Sequence, residues 1–193
     1  MAIETLGDQR PKQFRVLELD FVDVQSSEII EIWQGQIGIT HSEDPKPLIT
    51  SAGASSCTPL VGYSEFASFV LHPDYETDVL GTLERYLTNL PSLVNAPETG
   101  KFSLYLNGNA SKRNSILIQS IKSMPARIAG YELQLVAEDV LNVPTRRALD
   151  IGIDSRTGKP FYYPLPLVGV DRRTSGLHPS QYNSRIAVLV HPL

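Results

Sequence analysis

Apolar residues recur along this chain mostly with the period of two that marks half-buried strands, and twice with the period of a helix. Phe14 to Val24 is rich in β-branched and aromatic residues and reads as a strand, and Ile29 to Ile39, with Trp33, reads as a second, interrupted one. His41 to Pro47 is polar with two prolines and reads as a loop, after which Leu48 to Ser51 resumes as a short strand. Thr58 to Tyr63 and Phe66 to His72 form two more, joined around Ser64-Glu65. Asp74 is placed to cap a first helix carrying Val79, Leu80, Leu83, Tyr86 and Leu87 at helical spacing, with Pro91 and Pro97 closing it. Phe102, Leu104 and Leu106 alternate as a strand that Asn107-Gly108-Asn109 should turn. Ile116, Leu117, Ile121 and Met124 mark a second helix. Tyr131 to Leu135, Leu149 to Ile153, Phe161 to Leu165 and Ile186 to Val190 complete the strands; Thr157-Gly158 makes a hairpin turn, and Asp171 to Asn183 a polar loop. Strands both precede and separate the two helices, which predicts a strand-dominated mixed α/β sandwich.

Length and composition narrow this further. At 193 residues, 41% hydrophobic and 20% charged, residues 1–193 suit one folded domain. A formal net charge of -4 and the lack of a basic stripe argue against nucleic-acid binding. Met1 to Pro11 has no apolar core of a signal peptide, and no stretch approaches membrane-spanning length. The expectation is a soluble, cytoplasmic protein without membrane insertion; secretion as an effector through a signal-less machine would leave no mark. One cysteine excludes an internal disulfide and a multi-cysteine metal site.

That cysteine sits where chemistry is possible. Cys57 follows five small residues, Ala52 to Ser56, and precedes a strand. Small residues allow a tight turn and close approach of a substrate, and such a turn can aim successive backbone N–H groups at one developing oxyanion. A thiol needs a base to become a nucleophile. His72, fifteen residues on, ends the next-but-one strand, and a hairpin of that length returns it beside Cys57. Ser51, six residues before Cys57, ends the preceding strand, where its hydroxyl could orient the imidazole. Taken alone, each has a plainer reading: a buried small hydrophobe, a strand-end histidine and a turn hydroxyl. Glu138-Asp139 resembles a paired-carboxylate site but is better explained by structural hydrogen bonds. His41, His178 and His191 have no acidic cluster at ligand spacing.

Several motifs occur in the order of a known family. Gly53-Ala54-Ser55-Ser56-Cys57, Leu106-Asn107-Gly108-Asn109-Ala110, Lys112-Arg113-Asn114, Val136-Ala137-Glu138-Asp139-Val140, Asn142 with Arg146-Arg147, and Ser155-Arg156-Thr157-Gly158-Lys159 together resemble the chemoreceptor glutamine deamidase (CheD) family. More distantly they resemble the catalytic domains of cytotoxic necrotizing factor and related toxins. The similarity runs from about Leu48 to Leu165. Alignment on Pro73-Asp74 puts Phe69 at the chemotaxis enzymes' histidine position, whereas the toxin-like spacing from the cysteine selects His72. Phe69 cannot serve as a base.

The resemblance implies an α/β/β/α layered sandwich and a triad of Cys57, His72 and Ser51, with no metal or organic cofactor. It implies hydrolysis of a protein glutamine side chain to glutamate and ammonia. The substrate would be a chemoreceptor of the same cell or a host protein reached by injection. Two other activities stay open: a transglutaminase or peptidase working through the same residues, and a non-catalytic binding module that keeps only the fold.

Overall fold

In a computed structural model, the chain is described for residues 2–13, 28–52, 57–109, 112–141, 150–163 and 188–190. The expected strands at Phe14 to Val24 and the loop at Asp171 to Asn183 lie outside these residues, as do residues 53–56 and His178 and His191.

Two sheets form. The strands are β1 (Lys12–Gln13), β2 (Ile29–Ile32), β3 (Gln36–Thr40), β4 (Leu48–Ser51), β5 (Leu60–Tyr63), β6 (Ser68–His72), β7 (Gly100–Asn109), β8 (Arg127–Ile128), β9 (Tyr131–Leu141), β10 (Asp150–Asp154), β11 (Lys159–Tyr163) and β12 (Val188–Val190). The larger sheet has the order β1-β9-β7-β5-β6-β3-β12, with β8 also on β9; the smaller has the order β11-β10-β4-β2. Both mix parallel and antiparallel pairs, β7 on β9 being the long parallel one and β5 on β6 an antiparallel one. This is the strand-dominated mixed sandwich that the patterning predicts.

Alternation sorts the side chains into layers. Leu60, Phe69, Leu71, Phe102, Leu104, Leu106, Leu133 and Leu135 leave one face of the larger sheet and pack with Leu83, Leu87 and Leu90 of helix α1 (Val79–Val94) and Leu117 and Ile121 of helix α2 (Lys112–Lys122). From the opposite face, Val61, Val70 and Ala137 meet Ile30, Ile32, Ile49, Ile151, Ile153 and Tyr162 of the smaller sheet. Ile29, Leu48 and Phe161 form a small cluster on the smaller sheet's other face. Both described helices therefore lie on the same side of the sandwich.

Local chemistry adjusts several boundaries. Asp78, not Asp74, caps α1, its carboxylate accepting from the Gly81 N–H at 3.0 Å. Asp74 instead holds its own turn through the Thr77 hydroxyl at 2.7 Å. Pro91 does not end α1; the helix runs one more turn and closes at Asn95 in the left-handed region, φ 53°. A proline removes one N–H from the ladder, but near a C-terminus the remaining turn is closed by a residue such as Asn that tolerates that conformation. Asn107-Gly108-Asn109 is no turn either: all three extend β7 beside Asp139 to Leu141. The predicted strand from Ile29 to Ile39 is two strands in different sheets, divided at Trp33–Gly35, where Gly35 has φ 78°.

At the outer edge of the larger sheet, the first residues run along β9. The carboxamide of Gln9 donates to the Leu133 carbonyl at 2.9 Å and accepts from the Leu135 N–H.

Candidate active site

The faces of β6 decide which of its side chains can meet a thiol. Gly62 stands opposite Phe69 in the β5–β6 ladder, and the Phe69 ring covers it so closely that a Cβ there would lie 2.2 Å from the ring. Phe69 is thereby committed to the helix side, where it stacks against Tyr86 and Phe102. Val70 and His72 point the other way, into the space between the sheets.

His72 is fully buried. Its Nδ1–H donates to the main-chain carbonyl of Ile32 at 3.1 Å, so the bond crosses from the larger sheet to the smaller. That carbonyl also accepts the Ala52 N–H at 2.8 Å. A carbonyl can only accept, so the proton of the neutral ring is on Nδ1 and the lone pair is on Nε2. Nε2 is buried and, among the described residues, has no hydrogen-bond partner, the Cys57 thiol included. Burial lowers the pKa of His72 from 6.5 to about 4, against smaller upward contributions from the Ile32 carbonyl and Asp74. The ring is neutral at pH 7.

Cys57 is 7% exposed and is in no disulfide. It opens the segment that leads through Thr58 and Pro59 into β5. Because Leu60 stands opposite Leu71, this segment enters alongside the end of β6 that carries His72. On its other flank the Pro59 carbonyl accepts the Asn107 N–H at 3.2 Å. The segment is thus held between β6 and β7.

Ser51 ends β4, in register with Ile32, and is fully buried. Its hydroxyl accepts the Ile151 N–H at 3.1 Å and reaches Asp150 Oδ1 at 3.5 Å. The ring contact expected of Ser51 is made by the Ile32 carbonyl instead, and Ser51 joins β4 to β10.

Two neighbours escaped the sequence reading. Gln36 stands directly across the β3–β6 ladder from His72, and its Oε1 accepts the Trp33 N–H at 2.9 Å. Tyr162, between the sheets, donates to Asp139 Oδ2 at 3.0 Å. Burial, with Asp139 as the secondary cause, raises the pKa of this phenol well above its ordinary value. Glu138 is ion-paired to Lys122 at 2.6 Å and accepts from Gln13 Nε2 at 2.6 Å, so Glu138-Asp139 is tied into the scaffold. His41 accepts from the Glu43 N–H within its own loop. Among the described residues there is no group of three or more His, Cys, Asp or Glu that could hold a metal, and no helix long and apolar enough to cross a membrane.

No known family model matches the chain, and a search of curated proteins finds no relative.

Proposed function

We propose that this chain is a cysteine-dependent protein-glutamine deamidase with Cys57 as nucleophile and His72 as base. The observation that carries this reading is His72 itself: a buried neutral imidazole, its tautomer set by the Ile32 carbonyl, with a buried and unpartnered Nε2. Burying a polar nitrogen without a partner costs on the order of 1–3 kcal/mol, and this one stands at the end of β6 alongside which the Cys57 segment enters, which supports a use for it as a base. The choice of a glutamine side chain as substrate comes from the ordered resemblance to the CheD-like and necrotizing-factor deamidases.

In the proposed reaction His72 Nε2 takes the Cys57 proton, and the thiolate attacks the carboxamide carbon. The charge on oxygen is held by the Cys57 N–H and a neighbouring backbone N–H. The imidazolium gives its proton to the leaving nitrogen, ammonia departs, and water, deprotonated by His72, hydrolyses the thioester. Burial keeps His72 in the base form, and the thiolate beside it compensates the imidazolium once formed. Ile32 fills the orienting place, so Ser51 supports the site at one remove.

A non-catalytic binding module of the same fold is the second reading, favoured by the missing thiol–imidazole hydrogen bond. Such contacts are often long without substrate and tighten when it binds. The deciding experiment incubates the protein with a soluble bacterial or host cell extract and reads ammonia together with glutamine-to-glutamate conversion by peptide mass spectrometry. Conversion that vanishes in Cys57→Ser supports the deamidase. Ammonia accompanied by new crosslinks in place of glutamate would replace it with a transglutaminase, cleaved chains without ammonia would replace it with a peptidase, and no change of any kind would leave the binding module.

A further inference from the structure

Gln36 lies beside His72 as closely as the ladder permits. Directly opposed residues on an antiparallel pair share a face with Cβ atoms about 5 Å apart, and Gln36 and His72 are such a pair. The face is fixed independently: two residues along β3, a Cβ added to Gly38 would strike the Ile32 and Ile49 side chains of the smaller sheet. Gln36 therefore points between the sheets, as His72 does. It is only 8% exposed. Its Oε1 is taken by the Trp33 N–H, and its main-chain N–H returns to the Trp33 carbonyl at 3.0 Å. With the oxygen fixed, the rotation of the carboxamide is fixed too, and the NH2 group donates to nothing among the described residues. Gln36 and His72 thus bring two donors and an unoccupied base nitrogen to paired positions on one face, with the acceptor supplied by His72 and the donors by Gln36.

We propose that Gln36 is a specificity-determining residue of this site, its Nε2 donating to the carbonyl oxygen of the substrate carboxamide while His72 Nε2 faces the thiol and the leaving nitrogen. This rests on the deamidase reading and deepens it. The site would select substrates that present an oxygen acceptor, amides above all, over thiol-reactive groups of similar size that lack one.

Small thiol reagents test this without a protein substrate. Wild type, Gln36→Glu and Gln36→Leu are treated at neutral pH with iodoacetamide, which carries a carboxamide, and with dimethyl disulfide, which has no carbonyl and no oxygen of any kind. Gln36→Glu keeps an acceptor for the Trp33 N–H, so the turn survives there if Gln36→Leu fails to fold. The expected result is a preference for iodoacetamide at Cys57, measured against an unfolded-chain cysteine, that falls about tenfold in either variant, the worth of one hydrogen bond. Reaction with the carbonyl-free reagent should stay within about twofold. An unchanged preference in the variants, with Cys57 still fast, would overturn the role of Gln36 and leave the deamidase reading standing. A wild-type Cys57 no faster than the unfolded reference toward either reagent would overturn thiol activation, and this inference with it.

Discussion

The Nδ1–H of His72 donates to the main-chain carbonyl of Ile32 across the gap between the two sheets, at 3.1 Å. A backbone carbonyl cannot ionise or rotate away, so it orients the ring by a group that the strands themselves position. The same burial makes the ring a pH-dependent part of the fold. Its folded pKa of about 4 lies below the 6.5 of the unfolded chain, so as pH falls the unfolded state takes the proton first. The contribution to stability is complete above about pH 6.5, declines as pH drops toward about 4, and amounts to about 3 kcal/mol over the whole window. Urea unfolding at several pH values should show this acid loss in wild type and a shallower one in His72→Leu. Equal slopes would mean that His72 is not buried as a neutral ring.

Cys57→Ser should abolish ammonia release and leave the fold intact, because a hydroxyl of similar size replaces a thiol that no disulfide uses. Full activity in this variant would falsify the assignment of the nucleophile.

Ser51→Ala should act first on stability. It leaves the buried Ile151 N–H without its acceptor and deprives Asp150 of a donor, a loss on the order of 1–3 kcal/mol. The His72 tautomer is held elsewhere, so once folded the variant should retain activity within about tenfold and keep the same pH profile. A shifted pH profile would restore Ser51 to a direct role on the imidazole.

Gly38→Ala tests the packing that supports the Ile32 carbonyl. An added Cβ would lie 2.2 Å from Ile32 Cδ1, so the Ile32 side chain must move, at a cost of about 1–3 kcal/mol. The expected outcome is a lower melting temperature and a lower kcat in the folded fraction. Loss of stability with kcat untouched would show that displacement of Ile32 is absorbed before it reaches His72.

Tyr162→Phe removes the buried donor to Asp139, and an on-order loss of 1–3 kcal/mol in chemical denaturation is expected, with no change in the pH dependence of turnover. An altered pH profile would make the Glu138-Asp139 pair part of the chemistry.

The sequence carried some of this and could not carry the rest. Leu48 to Ser51 was read with its boundaries intact because three apolar or β-branched residues and a serine stood between a proline-rich loop and a run of small residues. Spacing found Val79, Leu83, Tyr86, Leu87, Leu117 and Ile121 on the buried helix faces, but it also counted Leu80 and Ile116, which are exposed. The passage of Ile29 to Thr40 from one sheet to the other was invisible, because alternation continues on both sides of Trp33–Gly35 and does not name the partner strand. Asn107-Gly108 misled for a related reason: it signals a hairpin turn only between antiparallel neighbours, and β7 runs parallel to β9. At the site, the choice of His72 over Phe69 came from chemistry and from spacing, and the face of Phe69 follows from a contact with Gly62 that local pattern does not encode. The Ile32 carbonyl could not be found by any residue-type search, since every residue has one. Gln36 lay outside the matched motifs and gains meaning only from its register with His72.

Gln9 has a consequence for life in a crowded solution. An open sheet ends in a row of unpaired peptide groups that invites strands from other molecules. Here β8 occupies the margin at Tyr131 and Glu132, the Gln9 carboxamide imitates a peptide unit at Leu133 and Leu135, and β1 takes over at Ala137 and Glu138. Among the described residues, no part of this margin is long enough to template a foreign strand. A single side chain posing as backbone completes the fence, and it does so with the first residues of the chain rather than with charge or proline.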